Sequence, residues 1–259
     1  MSDHHGNPCW YELSTAKGGL AAAGAFYARL LGWQIADAGM EGFTYHLAGG
    51  DGGMVAGLME TPEDVAGMPP FWMIYFAVTD ADRAVADIRA AGGTIHRDVQ
   101  PIPGTGRFAI AADPQGAAFG ILEPSQTDAA GGAFDQSRTG HGNWHELMST
   151  DPVAGLKFYS GLFGWGKSTS MDMGEMGTYQ LFSRNGADIG GIMGLGNAPV
   201  SCWLPYFGIN GVAGAVARIA ELGGIVIHGP QEVPGGAFIA VARDPQGAHF
   251  AVVGPKDAA

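Results

Sequence analysis

The chain has 259 residues, with 13 Lys and Arg against 25 Asp and Glu; its formal charge of −12 repels phosphate backbones and anionic headgroups, which sets nucleic acid aside as a partner. Apolar residues make up 46% and charged residues 15%, a balance that buries a core rather than remaining disordered. There is no run of about 18 apolar residues and no basic-then-apolar leader, so no membrane partner is expected and the expected location is cytoplasmic.

The elements follow a fixed order. Trp10 to Thr15 reads as a strand, and Leu20, Ala23, Phe26, Tyr27, Leu30 and Leu31 then recur at helical spacing up to a stop at Gly32. Three short strands follow, near residues 33–36, 43–48 and 54–59, punctuated by Gly and Asp. The same plan recurs with a strand at Phe71 to Thr79, a helix at Asp80 to Ala91 stopped by Gly92 and Gly93, and strands near 94–99, 107–112 and 117–122. His4 and His5, ahead of the first strand, read as a disordered tail. Cys9 and Cys202 are too few for a disulfide framework and read as reduced, structural thiols.

From residue 143 the whole pattern starts again. Trp10 answers Trp144, Phe26 answers Phe158 and Asp113 answers Asp244, at separations of 134, 132 and 131 residues. So narrow a spread means a tandem duplication. The expected domains are 1–125 and 143–259, joined by a polar linker at 126–142 where no apolar period survives. Each copy is a βαβββ module repeated, and one helix per module leaves a sheet face that needs a partner. The fold class is therefore α+β, with four βαβββ modules forming two half-open barrels whose concave faces are suited to a small-molecule ligand.

Phe-Tyr-x2-Leu-Leu-Gly-Trp at 26–33, Phe-Tyr-x2-Leu-Phe-Gly-Trp at 158–165, and Asp-Pro-x-Gly at 113–116 and 244–247 recur in order along the chain. Together they resemble the vicinal oxygen chelate superfamily, which takes in glyoxalases, bleomycin-resistance proteins and dioxygenases. The duplicated, acidic, Gly-rich form with Trp-x-Glu-Leu in its first strand is similar to the tandem two-domain group related to lactoylglutathione lyase, and to a mycobacterial antigen of the same superfamily. The resemblance implies glyoxalase-like half-open barrels. It also implies a glyoxalase-like lyase as one possible activity.

Metal-using members place His, Glu or Gln on the inner faces of first and last strands. Matched by position, those sites carry Trp10, Trp144, Gly120, Ala251, Met73 and Leu204, and the last strands of the first and third modules offer Gly57-Leu58 and Gly191-Ile192. Indole has no lone pair to give a metal, so no cofactor is expected from this set. By strand parity Glu12 and Glu146 share the faces of Trp10 and Trp144, and His249 that of Ala251. Glu146 and His249 are the catalytic candidates, as an acid/base pair; Trp10, Glu12, Trp144 and Tyr179 are the ligand-contacting ones. His145 has the opposite parity and is expected to face the helix layer or solvent. Trp72 and Trp203 read as core. The Met171 to Met176 loop suits a flexible cover over an apolar ligand, or plain packing.

Three functions compete: an enzyme acting on a small carbonyl-containing metabolite with Glu146 as base, a protein sequestering an aromatic molecule between tryptophans, and a scaffold with vestigial cavities. The copies differ at Tyr11 against His145 and at Ala118 against His249, so any chemistry is expected to be unequal and to favour the second copy. The assembly is expected to be a monomer with two internal domains or a homodimer.

Overall fold

The computed structural model describes residues 4–50, 52–62, 67–125 and 132–258. The first module comprises β1 (Pro8–Thr15), α1 (Leu20–Leu31), β2 (Gln34–Asp37), β3 (Tyr45–Gly50) and β4 (Gly53–Glu60). The second comprises β5 (Phe71–Ala77), α2 (Ala81–Ala90), β6 (Thr94–Ile102), β7 (Gly106–Ala112) and β8 (Ala118–Pro124). The third has β9 (Gly142–Ser149), α3 (Pro152–Phe163), β10 (Gly166–Asp172), β11 (Thr178–Arg184) and β12 (Ala187–Gly194). The fourth has β13 (Cys202–Gly208), α4 (Val212–Glu221), β14 (Ile225–Glu232), β15 (Phe238–Arg243) and β16 (His249–Gly254). The expected βαβββ order thus holds in all four.

Each sequence copy builds one eight-stranded mixed sheet. The orders are β2-β3-β4-β1-β5-β8-β7-β6 and β10-β11-β12-β9-β13-β16-β15-β14. Within a module the first and last strands run parallel, as β1 does with β4 and β9 with β12, while the connecting strands are antiparallel. Neither sheet closes, because β2 and β6, or β10 and β14, stand at its ends. This is the half-open glyoxalase-like arrangement, in an α+β protein.

The helices form where the apolar spacing placed them. In α1 the buried side includes Leu20, Ala23, Phe26, Tyr27, Leu30 and Leu31, one stripe at periodicity 3.6. Gly32 ends it in a left-handed conformation, φ 75°, with its N–H on the Ala28 carbonyl; Gly164 ends α3 the same way, φ 70°. A side chain at either position would strain the backbone, so glycine is the natural stop.

Packing groups the modules differently from the sheets. One compact unit comprises Met1–Cys9, Ile74–Gly131 and Trp144–Leu204, and the other comprises Trp10–Met73, Gly132–Asn143 and Pro205–Ala259. The first therefore gathers most of modules two and three, the second most of modules one and four. Each is tied by the motif residues themselves. In the second unit the Tyr27 hydroxyl donates to Asp244 Oδ2 at 3.1 Å and accepts from Trp72 Nε1 at 2.9 Å. In the first unit Tyr159 donates to Asp113 Oδ2 at 3.2 Å and accepts from Trp203 Nε1 at 2.9 Å. The tyrosine of Phe-Tyr in one copy thus bonds the aspartate of Asp-Pro-Gln-Gly in the other. Trp72 and Trp203 are core residues, as expected.

Two stretches that composition marks as irregular are packed. His5 accepts Arg184 Nε on its carbonyl at 2.7 Å, its Nε2 lies 3.0 Å from the Leu162 carbonyl, and its ring meets Phe163 edge-on. The expectation of a disordered tail therefore fails at His5, because its neighbours supply partners that no local pattern reveals. Of the expected linker, residues 126–131 lie outside the described residues. In 132–142 Ala133 and His141 are buried, Phe134 bridges Gly142, and Trp33 Nε1 donates to the Gly140 carbonyl at 2.7 Å. Cys9 and Cys202 are both free thiols.

Candidate functional site

The sequence candidates Trp10 and Glu12 project from one face of β1, and a third residue joins them there. Trp10 Nε1 donates to the Tyr45 hydroxyl at 2.9 Å, and that hydroxyl donates to Glu12 Oε2 at 2.9 Å. The second copy repeats the chain: Trp144 Nε1 donates to the Tyr179 hydroxyl at 2.9 Å, and Tyr179 hydrogen-bonds Glu146. Period two on β1 and β9 puts Trp and Glu on the same side. The tyrosine arrives from the third strand of its module, two strands away in the sheet.

What lets the ring cross that distance is a glycine. Gly57 of β4 is the cross-strand partner of Glu12, and Gly191 of β12 that of Glu146. A Cβ built on Gly57 would run into the Tyr45 ring and hydroxyl, and one on Gly191 into the Tyr179 ring. The tyrosine lies flat across the bare backbone of the intervening strand to reach its carboxylate, a close approach that glycine permits.

Burial is the main force on these hydroxyls. It raises the proton affinity of Tyr45 and Tyr179 well above the ordinary tyrosine range, and the facing Glu12 or Glu146 charge raises it further, while the indole N–H bond pulls the other way. Both phenols therefore stay protonated at neutral pH as hydrogen-bond donors. Trp10, Glu12, Tyr45, Trp144 and Glu146 are half-buried, and Tyr179 is more covered.

The remaining candidates fall elsewhere. His145 is completely buried, as its parity predicts; its Nδ1 bonds the Ile189 carbonyl at 2.8 Å, and burial lowers its pKa to about 4. His249 opens β16, exposed and opposite Arg243 in register. Its proton affinity is lowered by partial burial first and by the Arg243 charge second. His249 and Glu146 belong to different compact units.

Sequence reasoning included Tyr179 and missed Tyr45. The Thr44-Tyr45 and Thr178-Tyr179 repeat, together with Gly57 and Gly191 at matched positions, was the available signal. The inequality expected between copies also does not extend to this group, since both copies carry it. Tyr11 and His145 are buried, with parity opposite to the Glu residues, whereas Ala118 and His249 lie at strand starts.

The positions where relatives hold a metal do not fit one here. Gly120 lies beneath the Tyr75 ring as Gly57 and Gly191 lie beneath theirs, so a ligating side chain at any of the three would collide with a ring. Ala251 stands opposite Tyr206, and Trp10 and Trp144 bring N–H donors where a cation needs lone pairs. Among the described residues no cluster of three or more His, Cys, Asp or Glu is arranged to hold a metal. Two shallow hollows, of about 490 and 280 Å³, are lined by Gly52, Ser137, Arg138 and Thr139, and by residues around Ile209 and Arg218; neither includes the Trp–Tyr–Glu groups.

Comparison with known proteins agrees with this scaffold. The Glyoxalase/Bleomycin resistance protein/Dioxygenase superfamily profile matches residues 15–121. CFP32 of Mycobacterium tuberculosis (strain CDC 1551 / Oshkosh), whose name carries a provisional glyoxylase assignment, is 33% identical over 258 residues, covering 96% of this chain and 95% of that protein. The anthracycline biosynthesis protein DauV of Streptomyces sp. (strain C5) is 31% identical over 276 residues, covering 98% and 94%. Among solved structures, the Mn(II)-bound glyoxalase of Novosphingobium aromaticivorans superposes with a TM-score of 0.65 at 19% identity, over 96% of this chain and 81% of that one; that likeness speaks for the fold alone. With two relatives above 30% identity along nearly its full length and the half-open βαβββ sheets in place, this chain belongs to the glyoxalase/bleomycin-resistance/dioxygenase superfamily.

Proposed function

We propose that the chain is a metal-independent member of its superfamily that receives a small carbonyl-containing or aromatic molecule at its Trp–Tyr–Glu groups. The observation that carries this reading is the recurrence in both copies of one hydrogen-bond chain, Trp10–Tyr45–Glu12 and Trp144–Tyr179–Glu146, whose tryptophans stand at the positions matched to first-strand metal ligands. A carbonyl or phenolic oxygen that takes the place of the carboxylate as acceptor receives the tyrosine O–H, while the indole N–H stays on the tyrosine oxygen and holds that hydroxyl in place. A carboxylate within reach of the same oxygen can take a proton from the adjacent carbon, which gives Glu146 and Glu12 the role of general base. The name of the anthracycline relative makes flat aromatic ketones a sensible first class to test.

The test uses protein dialysed against EDTA and titrated with a panel of ketones, aldehydes and hydroxyquinones, followed by tryptophan fluorescence. Saturable quenching that survives chelation and weakens in Trp10→Phe and Trp144→Phe is the expected result. Silence across the panel would overturn the binding reading. Stoichiometric Mn, Ni, Zn or Fe in undialysed protein would overturn metal independence. Where turnover is found, Glu146→Gln and Glu12→Gln together should abolish it even at saturating ligand; unchanged turnover would remove the base role and leave sequestration.

A further inference from the structure

The two Trp–Tyr–Glu groups are alike at their polar centre and unlike at their rim. In the first copy Phe43 stands two residues before Tyr45, 42% exposed, with its ring nearly parallel to the Tyr45 ring, at 27° and 6.1 Å between centroids. Two residues before Tyr179 the second copy has Gly177, in a positive-φ turn that closes a single 3₁₀ turn at Gly174–Met176. The exposed apolar groups of that loop are Met173 and Met176, at 40% and 52%.

A second difference runs the same way. Cys202 opens β13, and the Glu146 charge, after burial, helps push its thiol up to about 11, which places it in the electrostatic neighbourhood of that carboxylate. The matching first residue of β5 is Phe71, half-buried. The first copy therefore carries a phenyl ring at each of these two positions, one of them facing the Tyr45 ring, and the second carries a glycine and a thiol, with the exposed thioethers of Met173 and Met176 in the loop before Tyr179.

Rings and thioethers select different ligands. A fixed, exposed phenyl offers a face for offset stacking and favours flat molecules, whereas unbranched methionines adapt to irregular shape. We infer that the chain carries two ligand sites of different selectivity, the first copy taking flat aromatic carbonyl compounds and the second taking bulkier, non-planar ones. This rests on the reading that the Trp–Tyr–Glu groups bind ligand at all.

Two probes separate the sites: 1-hydroxyanthraquinone as the flat ketone and 2-adamantanone as the bulky one, each titrated calorimetrically into the full chain. Glu12→Gln should weaken the anthraquinone at least tenfold and leave adamantanone unchanged, and Glu146→Gln should do the reverse. Phe43→Ala, a change at an exposed side chain, should cost the anthraquinone about three- to tenfold by removing the stacking face, with no effect on adamantanone. Cys202→Phe, matching the residue of the first copy, should exclude adamantanone, and circular dichroism confirms that each variant folds. If both probes bind and each responds equally to Glu12→Gln and Glu146→Gln, the division of selectivity is wrong while the binding reading stands. If neither probe's binding responds to either change, both fall.

Discussion

Tyr45 and Tyr179 each take a proton donor on one side and face a carboxylate on the other, so the hydroxyl direction is set before any ligand arrives. Tyr45→Phe or Tyr179→Phe removes the oxygen that both neighbours bond and should destabilise the fold by about 1–2 kcal/mol per site, read by urea denaturation, and should weaken ligand binding at that copy. His145 makes a separate prediction. It is buried neutral with its pKa lowered from 6.5 to about 4, so the unfolded chain takes up a proton before the folded one does. Its contribution is intact above pH 6.5 and is lost as pH falls from there toward about 4, on the order of 3 kcal/mol in all. Replacement by Tyr, the residue at the matching position of the first copy, should remove that part of the acid limb in thermal melts at pH 4–8.

At the level of elements, capping divides the helices by unit. Asp80 accepts the Arg83 N–H at the start of α2, and Asp151 accepts the Ala154 N–H at the start of α3. Both lie in the unit built from modules two and three. The helices α1 and α4 begin at Gly19 and Gly211 with no side-chain cap. Asp80→Ala and Asp151→Ala should each cost about 1 kcal/mol, by chemical denaturation. Repairing α1 with a cap at position 19 should fail, because a Cβ there collides with the Gln246 side chain that bonds the Gly19 carbonyl and the Ala16 N–H. Elements of this kind were legible in the sequence because their causes are local: a 3.6 period, an Asp before a helix, a Gly after it. The faces of Glu12, Glu146 and His145 followed from strand parity for the same reason. Tyr45 escaped because the glycine that lets it reach Glu12 lies 45 residues beyond that carboxylate, on a strand whose register no local pattern fixes. The pairing of Tyr27 with Asp244 was equally hidden.

For the whole molecule, the two copies share their buried ties. Tyr27 of the first copy bonds Asp244 of the second, and Asp113 of the first bonds Tyr159 of the second. Residues 4–125 expressed alone would keep Tyr27 and Asp113 but lose both partners. The isolated copy should therefore be unfolded, or should self-associate so that Tyr27 of one molecule meets Asp113 of another; light scattering and circular dichroism distinguish these from a stable monomer, which would contradict the shared packing. The interleaved units also impose a timetable on a nascent chain. The unit ending at Leu204 has all its segments once that residue has been made, whereas Trp10–Met73, made well before it, belongs with Pro205–Ala259, made after it. At ~5–20 residues per second, the early segment waits roughly 3–11 s after Leu204 for its partner, with the apolar stripe of α1 open to chaperones or to a neighbouring nascent chain throughout.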